Sequence, residues 1–175
     1  FAFLLLVLFS APVPAGSPGP PPTTPVPYVL GKDATFQRGC FDPCECVLWE
    51  EAEIRGTFLL TPLGSDPLFN NYAVTHVMWH VPILSGVRIT GEGTYRIGGE
   101  FALEEQLILN LSFGGGPAQR FDSRRDIGPS PFPAFDIPIS INGIYCYDTV
   151  ITVRAKPAVD LKADPQRLTW APSRR

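Results

Sequence analysis

The residues of this chain best suited to chemistry are its cysteines. Cys40, Cys44 and Cys46 stand close together in Cys40-Phe41-Asp42-Pro43-Cys44-Glu45-Cys46, and the fourth, Cys146, lies far along the chain. An even count suits pairing, and four cysteines admit three connectivities. Cys44 with Cys46 is disfavoured, because alternate residues of an extended chain lie about 6.6 Å apart at Cα, near the disulfide limit. Of the other two patterns, the expected one joins Cys40 to Cys44 around the Asp42-Pro43 turn and Cys46 to Cys146. A bridge closing about 100 residues stabilises a fold by roughly 4–5 kcal/mol. The competing chemistry is zinc held by four thiolates, but C-x3-C-x-C with one distant ligand is a poor zinc spacing. No C-x-x-C redox pair is present.

The only histidines, His76 and His80, share one face of an extended segment with Tyr72, Val74 and Met78. Four strand residues separate them by about 13 Å, too far to share a metal ion. They read as surface or rim residues, with Ala73, Val77, Trp79 and Val81 as the core face. Glu105 interrupts the apolar face of its strand. If buried it would be a binding group of perturbed acidity, and the simpler expectation is a rim carboxylate that reaches water. Arg120, Asp122, Arg124, Arg125 and Asp126 cluster in a long loop, as a solvated face or as ligand contacts. The candidate ligand-contacting residues are therefore Glu105, Arg120, Asp122 and Arg124. No G-x-S-x-G, H-E-x-x-H, P-loop or EF-hand pattern occurs, so no catalytic residue, metal ligand or cofactor is assigned. Asn110-Leu111-Ser112 fits a glycosylation sequon in mid-strand.

These side chains must be positioned by strands. Among 175 residues, 45% are apolar and 18% charged, with 20 Pro, 16 Gly and 12 Phe, a composition of short strands and many turns. The expected fold class is all-β, an antiparallel sandwich or barrel of about seven to eight strands stabilised by disulfides. Strict alternation marks 87–97 as a strand, and 101–113 as its neighbour. A three-residue loop, Gly98-Gly99-Glu100, would pair Ile97 with Phe101, Tyr95 with Leu103 and Gly93 with Glu105. Asn142-Gly143 marks a second hairpin between 135–141 and 144–155, with Pro138 placing its strand at an edge or bulge and 144–155 central. Further strands are expected at 28–30, 34–38, 54–61 and 72–82, and 114–133 reads as one long loop.

The ends read differently. Residues 1–9 (FAFLLLVLF) form an apolar run too short to span a membrane, and Val13-Pro14-Ala15 offers a cleavage site, so 1–15 reads as a truncated signal peptide. Residues 16–27 read as a proline-rich linker, 28–157 as the β-domain, and 158–175 as a flexible tail. Leu168-Thr169-Trp170-Ala171-Pro172 resembles the opening of a following fibronectin type III-like module. No transmembrane segment is expected in the mature chain. A net charge of -3 gives no electrostatic footprint for nucleic acid.

Arg38-Gly39-Cys40-Phe41-Asp42-Pro43-Cys44-Glu45-Cys46, Phe69-Asn70-Asn71-Tyr72-Ala73-Val74, Arg120-Phe121-Asp122-Ser123 and Gly143-Ile144-Tyr145-Cys146-Tyr147-Asp148 together resemble uncharacterised exported bacterial proteins. The resemblance spans roughly 35–157 and implies export without implying an activity. The expectation is a secreted, periplasmic or extracellular domain, non-catalytic, serving adhesion, scaffolding or binding of an extracellular or envelope partner. Two alternatives are a lipocalin-like barrel carrying a small apolar ligand and a secreted hydrolase.

Overall fold

In the computed structural model of the chain, residues 24–82, 86–124, 126–127 and 132–158 are described. The expected signal peptide, most of the proline-rich stretch and the tail from 159 onward lie outside them. The described secondary structure is all strand: β1 (Val26–Leu30), β2 (Thr35–Phe41), β3 (Trp49–Glu53), β4 (Arg55–Ser65), β5 (Phe69–Val81), β6 (Val87–Gly98), β7 (Glu104–Phe113), β8 (Gln119–Asp122), β9 (Asp126–Ile127), β10 (Phe135–Ser140) and β11 (Cys146–Pro157). β1 thus begins inside the stretch that composition assigns to the linker.

Every pairing is antiparallel, and the pairings close on themselves. β1 pairs with β4 on one edge and with β11 on the other, so β1, β4, β5, β6, β7, β8, β10 and β11 form a ring. The sheet is thus ring-like, a closure that alternation does not disclose, since sandwich and barrel strands both bury one face. β2 continues the line of β1 along the same edge of β11, and β3 leads into β4 across Ile54, whose amide donates to the Ala34 carbonyl at 2.9 Å. β11, β2 and β3 therefore extend the sheet beyond one end of the ring.

The interior is filled by side chains. Tyr28, Phe58, Trp79, Tyr95, Leu107, Leu109, Phe135 and Ile137 belong to one continuous buried cluster. Aromatic rings dominate it, with centroids 5.1 Å apart for Tyr28 and Phe58 and 4.7 Å for Tyr95 and Phe135. Apolar side chains occupy alternate positions on each strand because only alternate residues face the core.

Both hairpins form between the expected strands but in different registers. Tyr95 faces Leu107 rather than Leu103, and Gly93 faces Leu109 rather than Glu105. The tight turn is pre-empted because β6 runs on beside β5 to Gly98, and the Gly99 amide donates to the Leu68 carbonyl at 2.9 Å. Phe101, expected to face inward, is 95% exposed. The displacement is an even number of residues, so the leucines of β7 still point into the core. In the second hairpin Ser140 faces Val150, which makes the connection much longer than a two-residue Asn-Gly turn. Its organiser is the buried carboxylate of Asp148, which accepts from the amides of Ile141 (3.2 Å), Asn142 (3.1 Å), Ile144 (2.8 Å) and Thr149 (2.7 Å). β11 lies between β10 and the β1–β2 line, as its apolar faces require. Pro138 lies on β10, whose far edge meets β8 only at Ser140 and Asp122.

β5 corrects the expected division of its faces. Val74 pairs with Gly93 and Val77 with Gly91, so one extra residue is accommodated between them, where His76 has a φ of 52°. Such a bulge exchanges the inward set. Tyr72 and Val74 point inward before it, and Val77, Trp79 and Val81 after it. The long loop expected at 114–133 contains β8 and β9, and Phe121 of β8 is fully buried.

Candidate functional site

The cysteines are all in disulfides, but in the third pattern: Cys40 with Cys46 and Cys44 with Cys146, at Cα separations of 5.6 and 4.8 Å. The pairing expected from turn spacing fails because strand register overrides it. β2 places Phe41 opposite Cys146. The turn that follows, closed by the Cys44 amide on the Phe41 carbonyl at 3.0 Å, returns Cys44 to Cys146. With every thiol so bonded, the zinc alternative is overturned. Among the described residues, no group of three or more His, Cys, Asp or Glu is arranged to hold a metal ion.

The four candidate ligand-contacting residues separate into two places. Glu105 is inside the ring and only 3% exposed, contrary to the rim position expected for it. Its Oε2 accepts from the Tyr95 hydroxyl at 3.0 Å. Burial drives the Tyr95 phenol far above its ordinary range, and the neighbouring Glu105 charge adds to the effect. Arg120, Asp122 and Arg124 instead line one cleft of about 550 Å3, where β8 and β10 diverge. Asp122 pairs with Arg120 at 3.0 Å and accepts from the Gln106 side chain at 2.9 Å and the Arg124 amide at 2.7 Å. Burial works to raise its carboxyl, but these hydrogen bonds outweigh it and hold Asp122 below the usual carboxylate range. A second aspartate, Asp66, is likewise held low by donors from Asn71, Leu68 and Phe69.

His76 and His80 lie exposed on the outside of the ring, and His76 Nδ1 is 3.2 Å from the Thr75 hydroxyl. The hydrolase alternative needs a histidine beside both a carboxylate and a nucleophile in a concavity, and these imidazoles stand on an outer face.

Two features escaped sequence reasoning. The first is the cross-linked end. The disulfides join the β2–β3 loop to the end of β2 and to the start of β11, and this end of the molecule displays large apolar side chains. Val47 is fully exposed, Leu48 is 67% exposed, and Trp49, Tyr145 and Tyr147 are about half exposed. The second is a pocket of about 230 Å3 at the adjoining mouth of the ring. Phe36, Val81, Val87 and Phe113 form its apolar wall, and the ion pair of Arg38 with Glu50, at 2.6 Å, stands at its side. The pocket exists because β3 and β5 part company. The last β4–β5 pair is Arg55 with His80, β5 ends at Val81, and β3 continues beyond with β2 as its partner. β3 was missed because Trp-Glu-Glu-Ala-Glu carries too little apolar alternation to read as a strand. The signal that could have found the region is charge: residues 39–54 hold Asp42, Glu45, Glu50, Glu51 and Glu53 and not one Lys or Arg.

Set against protein-family models, curated proteins and solved structures, the chain matches none. Among the described residues, no helix is long and apolar enough to cross a membrane.

Proposed function

We propose that this chain is a non-catalytic extracellular or cell-envelope domain that binds a protein partner through its disulfide-fixed end, and that it belongs with exported bacterial proteins of the kind it resembles. The observation that carries this reading is the exposure of Val47, Leu48, Trp49, Tyr145 and Tyr147 on the loops and adjoining strand ends beside two disulfides. Exposed aromatic and aliphatic side chains cost solvation, and cross-linked loops present them with little entropy left to lose on binding. The disulfides also support an oxidising destination, because such bridges persist outside the reducing cytosol. Aromatic anchors of this type contribute most of the energy at protein interfaces.

The test is a comparison of the native protein with a Leu48→Ser/Tyr147→Ser variant, both of whose altered positions are exposed. Each is immobilised, the captured protein is identified and purified, and its affinity for both forms is measured by calorimetry. The expected result is a loss of at least about tenfold in the variant. Equal affinities for the two forms would remove the assignment of this end.

A second reading, a carrier of a small apolar ligand, draws support from the closed ring and the apolar pocket at its mouth. Among the described residues, the apolar pocket at the mouth holds about 230 Å3, less than the roughly 300 Å3 at which drug-sized ligand pockets begin. Native mass spectrometry of protein purified without detergent checks it: a bound small molecule favours the carrier.

A further inference from the structure

Among the described residues, β3 is hydrogen-bonded on one side only, to β2, and its Glu50, on one face of the sheet, lines the mouth pocket. A strand edge of this kind presents unpaired N–H and C=O groups, which is a template for one more strand. Among the described residues the ring supplies none, because β5 ends at Val81. Glu50 of β3 and Val81 of β5 line the same pocket, so a segment laid along the edge would have the pocket beside it. We infer that the open edge of β3 receives an extended, basic segment of a partner protein as an added antiparallel or parallel strand, with one apolar side chain entering the pocket formed by Phe36, Val81, Val87 and Phe113. This inference rests on the partner-binding reading above and gives it a recognition mode.

Charge decides between possible occupants. Glu50 is paired with Arg38 and Glu53 with Arg55, while Glu51 stands exposed between them and Asp42 and Glu45 lie in the preceding loop. A second copy of this strand would set Glu51 against an equally acidic edge, and like charges placed across a strand pair are destabilising. A segment with Lys or Arg at alternate positions meets Glu51 favourably. Main-chain hydrogen bonds would then provide affinity, and the pocket would select the apolar residue.

The probe is a short synthetic peptide in which lysine alternates with valine or leucine. Two controls accompany it, one with glutamate in place of lysine and one with prolines at alternate positions. Isotope-labelled full-length protein is titrated with each and followed by amide NMR and hydrogen exchange. The lysine peptide should bind saturably, slow exchange at the amides of β3 and shift the methyl signals of Val81 and Val87, and neither control should do so. Glu51→Lys, at an exposed position, should weaken the lysine peptide by about fivefold and admit the glutamate peptide. Failure of the lysine peptide to perturb β3 saturably would overturn the inference. So would protection of β3 in the free protein accompanied by a dimer's mass, which would make a second copy the occupant. If a captured partner loses affinity on Leu48→Ser/Tyr147→Ser but not on Glu51→Lys, the binding domain stands and the strand edge is not its site.

Discussion

Tyr28 and Tyr95 are both buried in the ring, yet their hydroxyls are placed differently. The Tyr95 hydroxyl donates to Glu105 at 3.0 Å, whereas that of Tyr28 has no hydrogen-bond partner among the described residues. Removing a donor from a buried carboxylate costs more than a neutral hydrogen bond, and removing an unsatisfied hydroxyl costs almost nothing. Tyr95→Phe is therefore expected to destabilise the fold by about 1.5–3 kcal/mol in urea, while Tyr28→Phe should fall within about 0.5 kcal/mol of the native protein or above it. Both phenols are raised, first by burial, from an ordinary value of 10.0. Their contribution is thus fully present below pH 10, where folded and unfolded chains are both protonated. As pH rises past that value the unfolded chain loses these protons first, so stability declines. Each Tyr→Phe change should make the alkaline limb of the stability profile shallower. Equal destabilisation by the two substitutions would show that the Glu105 bond is not what distinguishes them.

At the scale of elements, the two disulfides are unequal in consequence. Cys44–Cys146 spans a sequence separation of 102 and Cys40–Cys46 one of 6, and the entropy removed from the unfolded chain grows with the enclosed loop. Replacing Cys44 and Cys146 together by serine should cost about 4 kcal/mol, and replacing Cys40 and Cys46 distinctly less, as measured by urea unfolding of the two double variants. Comparable losses would mean that both bridges act by holding the β2–β3 loop rather than by closing the long chain. The same residues show what sequence could and could not disclose. Alternation located β6, β7, β10 and β11 and the inward identity of Tyr95, Leu107 and Leu109, because burial of one face imposes period two. It did not locate partners. Register depended on Gly99 bonding Leu68, on Asp148 gathering four amides, and on Phe41 facing Cys146, all contacts made between elements. β8 was hidden because only Phe121 of its four residues enters the core, and Glu105 was placed at the rim because a lone carboxylate among leucines normally escapes to water.

For the whole molecule, ring closure makes stability depend on its weakest seam. Along β5, β6 and β7 the pairing is continuous over most of each strand, whereas β8 meets β10 through the single pair Ser140 and Asp122. The cleft lined by Arg120, Asp122 and Arg124 lies at this seam, which explains why three of the candidate residues share it. Side chains partly replace the missing ladder. Asp122 is held by Gln106, itself bonded to Arg96 at 2.7 Å, and the Arg124 guanidinium lies against Gly143 of the β10–β11 loop. Gly143 has a φ of 80°, a left-handed backbone that favours glycine, and an added Cβ there would displace the Arg124 guanidinium. A ring joined so thinly at one place should open there first, without unfolding β5, β6 and β7. Native-state hydrogen exchange should therefore show the amides of β8 exchanging at least about a hundredfold faster than those of β6 and β11. Asp122→Asn removes the charge that draws Arg120 to this seam, and it should accelerate exchange in β8 while leaving β6 unchanged. If β8 proved as protected as β6, or if both strands responded together, the ring would be opening as one unit and the cleft would not mark a weak seam.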